Sequence, residues 1–246
     1  MRKLITILAL FSTFSPSWGQ KIIIVEQNAN FTMEEKQGEF YYIEKAFPLT
    51  NDRWIATLEG FCTNTKKSTL EDLFFDFLET ANTLGANAFF IDDFSNAPDT
   101  TFVTISVFNL TENELDANYK LYPYNMIYLF GDMLRPHAVV KGTKIKLNSE
   151  KIILQPLEYY AYQNAVGKKA GISIGGFFGT KYVLTGKENK LPVYLSFGGL
   201  RAAPAVGIGG GIGLNFNTGS IHPFPMNFGQ FLVEILEREQ TTNNNF

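Results

Sequence analysis

Gly171-Ile172-Ser173-Ile174-Gly175 has the Gly-x-Ser-x-Gly spacing of a nucleophile elbow, and Ser173, Glu188 and His222 occur in the order of a hydrolase triad. The chemistry would be acyl transfer. An elbow exposes its Ser hydroxyl because a parallel strand turns sharply into a helix, whereas Gly176-Phe177-Phe178-Gly179 and a strand-like run follow here. The segment therefore reads as a Gly-rich strand in which Ser173 is a small packed residue. No catalytic residue is expected, and the chain is not read as an enzyme. An exported serine hydrolase using Ser173 and His222 is the alternative.

Gly207-Ile208-Gly209-Gly210-Gly211-Ile212-Gly213 resembles a phosphate cradle in composition only. No Lys-Ser or Lys-Thr follows, and the spacing is not that of a dinucleotide turn. Glycine at alternate positions suits a strand with one face left bare for an aromatic ring or another backbone. Asp92 and Asp93, with Asp99 six residues on, could hold a hard cation, but the spacing is irregular and a solvated turn is the simpler reading. His137 and His222 each neighbour a proline and read as loop residues. Two His and one Cys are too few soft ligands for a zinc or iron–sulfur site within one chain, so no cofactor or metal is expected. Lys66-Lys67, Lys168-Lys169 and Lys141, Lys144, Lys146 are small solvated clusters, and a net charge of −3 argues against nucleic acid as a partner.

The elements that must position such residues begin after an address. Arg2 and Lys3, the apolar run Leu4–Phe14 and the small residues of Ser15-Pro16-Ser17-Trp18-Gly19 form a secretory signal, with cleavage expected between Gly19 and Gln20. The run is too short for a membrane anchor, and no cysteine near the cut offers a lipid attachment point. The protein is thus expected outside the cytoplasm, in the periplasm or at the cell surface, with no transmembrane helix in the mature chain. Cys62, the one cysteine, is expected to be buried.

The composition, 45% hydrophobic and 15% aromatic, supports a sizeable, β-rich core. Residues 20–135 read as an α/β module. Ile22–Val25 is expected as a short buried strand, followed by strand-like runs at Phe40–Phe47 and Arg53–Phe61. Ser68 and Glu71 are placed as a capping box for a long helix whose buried stripe is Leu70, Leu73, Phe74, Phe77, Leu78, Ala81 and Leu84, ended by a left-handed Gly85. Strands are expected at Ala88–Ile91 and Thr101–Asn109. Thr111 and Glu114 cap a second helix with Leu110 and Leu115 as a staple, and Met126–Phe130 supplies a last strand.

Asp132–Pro136 is the candidate boundary. Fourteen of the 21 glycines lie between Gly171 and Gly229, and Arg201 is the one formally charged residue from Leu191 to Val233. Residues 136–240 read as a Gly-rich β module, a sandwich or partly open barrel, with strands at Ala138–Leu147, Lys151–Leu157, Gly171–Phe178, Lys181–Leu184, Leu191–Phe197 and Ala205–Phe216. A C-terminal helix closes it, capped by Asn227 and presenting Phe228, Phe231, Leu232, Ile235 and Leu236 to the Gly-rich surface. Residues 241–246 form a flexible tail. The fold class is α+β.

Helix, then Leu84-Gly85-Ala86-Asn87-Ala88, then an apolar strand resembles the small α/β modules of Rcs-type envelope-stress lipoproteins and YbjQ-like domains, over about residues 53–109. The resemblance implies a non-catalytic envelope module. The chain departs from the Rcs pattern in lacking the lipid-attachment cysteine and the paired cysteines, so redox-sensitive folding is not implied. The expectation is an exported bacterial envelope protein that binds or scaffolds, its partner an envelope protein or a small ligand. A pore or surface-layer component built from the Gly-rich strands is a further alternative.

Overall fold

A computed structural model describes residues 22–29, 31, 40–63, 68–97, 100–132, 142–175, 180–197 and 221–238. The Gly19–Gln20 cut, Asp99, His137, Lys66, Lys67, Lys141, the boundary beyond Asp132, the glycine run 207–213 with the strand expected at 205–216, and the tail 241–246 lie outside them. The described chain is α+β, with three helices and strands in three sheets, none closed into a barrel.

The first sheet has the order β1-β3-β5-β4-β2, formed by β1 (Ile23–Gln27), β2 (Tyr41–Tyr42), β3 (Trp54–Cys62), β4 (Ala88–Ala97) and β5 (Thr100–Phe108). Strict alternation builds it. Val103, Ile105 and Val107 are buried on one side of β5, while Phe102, Thr104 and Ser106 point to the other. Two expectations need correction. β1 is an edge strand rather than a buried one: all five residues are exposed, and among the described residues only β3 flanks it. The run Phe40–Phe47 yields a two-residue strand, Tyr41–Tyr42, pairing with Ala88–Phe89.

Helix α1 (Leu70–Leu84) lies on the inner face of this sheet, burying Leu70, Leu73, Phe74, Phe77 and Ala81. Leu78 and Leu84 are only partly buried at the rim. Its capping box is Thr69 with Asp72, not Ser68 with Glu71: Asp72 N–H donates to Thr69 Oγ1 at 3.1 Å and Thr69 N–H to Asp72 Oδ2 at 3.0 Å. A Ser-Thr dipeptide leaves two caps open, and Ser68 instead accepts from Thr63 N–H at 3.1 Å. Gly85 ends the helix at φ 82°, a left-handed conformation free of steric cost only for glycine. Buried Asn87 then ties the turn to the segment after β5, exchanging hydrogen bonds with the Leu110 backbone at 2.7 and 2.8 Å. Helix α2 (Glu112–Tyr119) starts at the expected Thr111–Glu114 box, with Leu110 and Leu115 both buried.

The remaining strands form two sheets. The second has the order β11-β10-β7-β8, from β7 (Thr143–Leu147), β8 (Glu150–Leu154), β10 (Lys169–Ile174) and β11 (Thr180–Thr185). The third has the order β13-β12-β6-β9-β14, from β6 (Met126–Phe130), β9 (Glu158–Gln163), β12 (Val193–Phe197), β13 (Ile221–Pro223) and β14 (Glu237–Arg238). Strands β9 and β13 escaped the sequence reading, since β9 is a run of aromatics without a clear polar face. Strand β6 is central in the third sheet rather than the last strand of the first. It sends Ile127 and Leu129 into one apolar cluster and Tyr128 and Phe130 into another, so it is covered on both faces.

Helix α3 (Met226–Ile235) joins the layers. Pro225, not Asn227, stands at its N-cap, a fixed φ that starts the helix without a side-chain bond to the backbone. The Gly-rich surface expected beneath its stripe lies mostly outside the described residues, among which the stripe has another partner. Phe228, Phe231, Leu232 and Ile235 enter one core with Phe40, Phe74 and Phe89 of the first half and Tyr128, Phe130 and Tyr194 of the third sheet. Phe74 makes ring contacts with Phe228 at 5.2 Å and Phe231 at 5.3 Å. A separate core of Ile127, Leu129, Leu195 and Phe197 with Ile145, Leu154 and Ile172 fills the space between the second and third sheets.

Candidate functional site

Of the triad pattern, Ser173 and His222 stand on strands of different sheets. Ser173 sits within β10, opposite Lys181 on one antiparallel neighbour and Lys146 on the other, and the chain returns as β11 instead of entering a helix. His222 lies on β13 in the third sheet, opposite Ser196. Asp92 accepts a hydrogen bond from Ser106 Oγ at 2.7 Å at a bulge of β4. Cys62 is buried, as its apolar neighbours implied.

Two other arrangements stand out. The first is a polar network inside the aromatic core, where α3 meets the segment after β2. Tyr194 donates its hydroxyl proton to Gln230 Oε1 at 2.6 Å, and Gln230 Nε2 donates to Glu44 Oε1 at 3.3 Å. The Glu44 N–H donates to Asn118 Oδ1 at 2.9 Å, while Asn118 Nδ2 and the Tyr122 hydroxyl both donate to the Tyr42 carbonyl, at 2.8 and 2.6 Å. Lys45 pairs with Glu234 at 2.6 Å. The Tyr42 hydroxyl is buried without a well-formed hydrogen bond, drawn toward Glu234.

Burial, and then the negative charge of Glu234, push the Glu44 carboxyl up to about 7, against the opposing pull of Lys45. Burial also raises the Tyr42, Tyr122 and Tyr194 hydroxyls, so all three stay protonated. The network can take up and release one proton near neutrality while spanning β2, α2, α3 and the third sheet. Sequence reasoning passed over these residues because each is an isolated polar side chain in apolar surroundings. The available signal was the i, i+4 spacing of Gln230 and Glu234 beside the apolar stripe of α3.

The second arrangement is the outer face of the first sheet, opposite α1. Register places its side chains in rows. Glu26, Thr57 and Ser106 form one, with Thr57 and Ser106 hydroxyls 3.3 Å apart and Asp92 bonded to Ser106. Ile23, Glu59, Thr104 and Asp93 form the next. Phe61, Phe102 and Ser95 form the third, with the two rings 5.6 Å apart. Ile23, Phe61 and Phe102 are 53%, 41% and 44% exposed.

No protein-family model, curated protein or solved structure matches the chain.

Proposed function

We propose that the protein is exported to the bacterial cell envelope and acts there by binding or scaffolding, without catalysis. The observation that carries this reading is β1, an edge strand whose apolar residues Ile23, Ile24 and Val25 are all exposed. An unpaired strand edge bearing apolar side chains is a template for another chain, and proteins that do not use such an edge blunt it with charge, proline or a covering element. The secretory pattern of residues 1–19 and the resemblance of residues 53–109 to envelope modules support the location. The second and third sheets, sharing an apolar core, fit a sandwich closed on its other side by α3.

Two measurements test the reading together. Mass analysis of the protein from its native envelope is expected to find a mature chain starting at Gln20, and an intact Met1 would overturn export. Affinity isolation is expected to recover an envelope partner with the wild-type chain and to lose it with Ile23→Lys/Val25→Lys. Equal recovery with both chains, at equal melting temperature, would remove β1 from the binding surface.

A further inference from the structure

Resting on the binding reading above, we infer that the β1 edge and the outer face of the first sheet dock an extended cationic segment of another polypeptide, which adds to the sheet as a sixth strand. Three observations converge on that occupant. Among the described residues, strand β1 has one neighbour, β3, and no strand pairs with its other side. The face beside it carries Glu26, Glu59, Asp92 and Asp93, and none of the five strands of this sheet contains a lysine or arginine. Next to those carboxylates lie Ile23, at the sheet edge beside Glu59, and the Phe61–Phe102 pair one row beyond Glu59 and Asp93, apolar surface suited to the aliphatic stems of lysine or arginine as well as to an apolar partner side chain.

Charge decides between occupants. A second copy pairing through β1 would place two acidic faces side by side, a like-charge juxtaposition that opposes association. A strand with alternating apolar and basic residues meets the face with the opposite sign. Backbone hydrogen bonds supply affinity in such strand addition, and the side chains projecting over the face supply selectivity.

The test uses the mature full chain and three synthetic octapeptides of one alternating pattern: valine with lysine, valine with threonine, and valine with glutamate. Binding is followed by amide shifts and hydrogen-exchange protection of residues 23–27, and oligomeric state by sedimentation. The lysine peptide is expected to bind at least about tenfold more tightly than the threonine peptide, and to lose that margin in 0.5 M salt, where the Debye length is about 4 Å against about 30 Å in a dilute buffer of 0.01 M. Glu59→Gln/Asp93→Gln, both exposed substitutions, is expected to narrow the margin without changing the melting temperature. Equal binding of lysine and threonine peptides would overturn the cationic occupant and leave the binding reading standing. Sedimentation as a dimer that Val25→Lys dissolves would overturn it in favour of a second copy. Failure of every peptide to protect β1, with envelope co-isolation still dependent on β1, would overturn the extended-strand mode alone, whereas loss of that dependence would overturn the binding reading itself.

Discussion

Gly229 of α3 lies flat against the ring of Tyr194, so close that a β-carbon built on it would stand 2.1 Å from Tyr194 Cγ. The ring cannot retreat. It stacks on Tyr128 at 5.1 Å and its hydroxyl is held by Gln230. Gly229→Ala would gain up to about 1 kcal/mol of helix propensity. Overpacking of a fixed ring costs typically about 1–3 kcal/mol and wins. The variant is expected to melt lower than wild type, by denaturant titration or calorimetry. Gly171→Ala, whose β-carbon would meet only Lys181 Cε at 3.9 Å, is expected to stay within about 0.5 kcal/mol.

On α1, Phe77 is fully buried while Glu79 faces solvent. Phe77→Ala should cost about 3–5 kcal/mol, and Glu79→Ala under about 0.5 kcal/mol. Equal, small losses in urea would mean that the helix packs by another face.

Protonation of Glu44 gives stability a direction in pH. The folded chain retains a proton up to about 7 that an ordinary glutamate releases near 4.5, so stability falls as pH rises through that window. Full linkage would be about 3 kcal/mol. The carboxyl is only partly buried, and solvent screening reduces this to about 1–2 kcal/mol. Glu44→Gln, which keeps an acceptor for Gln230, is expected to flatten the stability profile between pH 5 and pH 7 and to be the more stable chain at pH 8.

Phe231 contacts Phe74 and Phe89 of the first half from a helix that also packs on Tyr194. Phe231→Ala should cost about 3–5 kcal/mol and lower the unfolding of both halves together. Two transitions, with only the later one shifted, would show that the halves unfold independently.

Local rules were legible in the residues. The stripe of α1, the left-handed Gly85, the Thr111–Glu114 box and the alternation of β5 follow from periodicity and short-range chemistry, and the structure has all four. Long-range assignments were not. Nothing near Met126 states that β6 pairs in parallel with β12, with Ile127 opposite Val193 some 66 residues later, nor that α3 serves the core of the first half. Such pairings are set by what remains uncovered when the whole chain collapses. The network around Glu44 was illegible for the same reason, since Glu44 and Gln230 stand 186 residues apart. The exposed edge of β1 was misread because an apolar run looks alike whether it is buried or waiting to be covered.

The placement of α3 also bears on when the protein can fold. Phe40, Phe74 and Phe89 find Phe228 and Phe231 only after residue 231 has left the ribosome, so the first half cannot finish its core during its own synthesis. Contacts so distant in sequence also close slowly. Under the export proposed above, that delay would hold the chain open for threading until the last helix arrives and locks both halves at once.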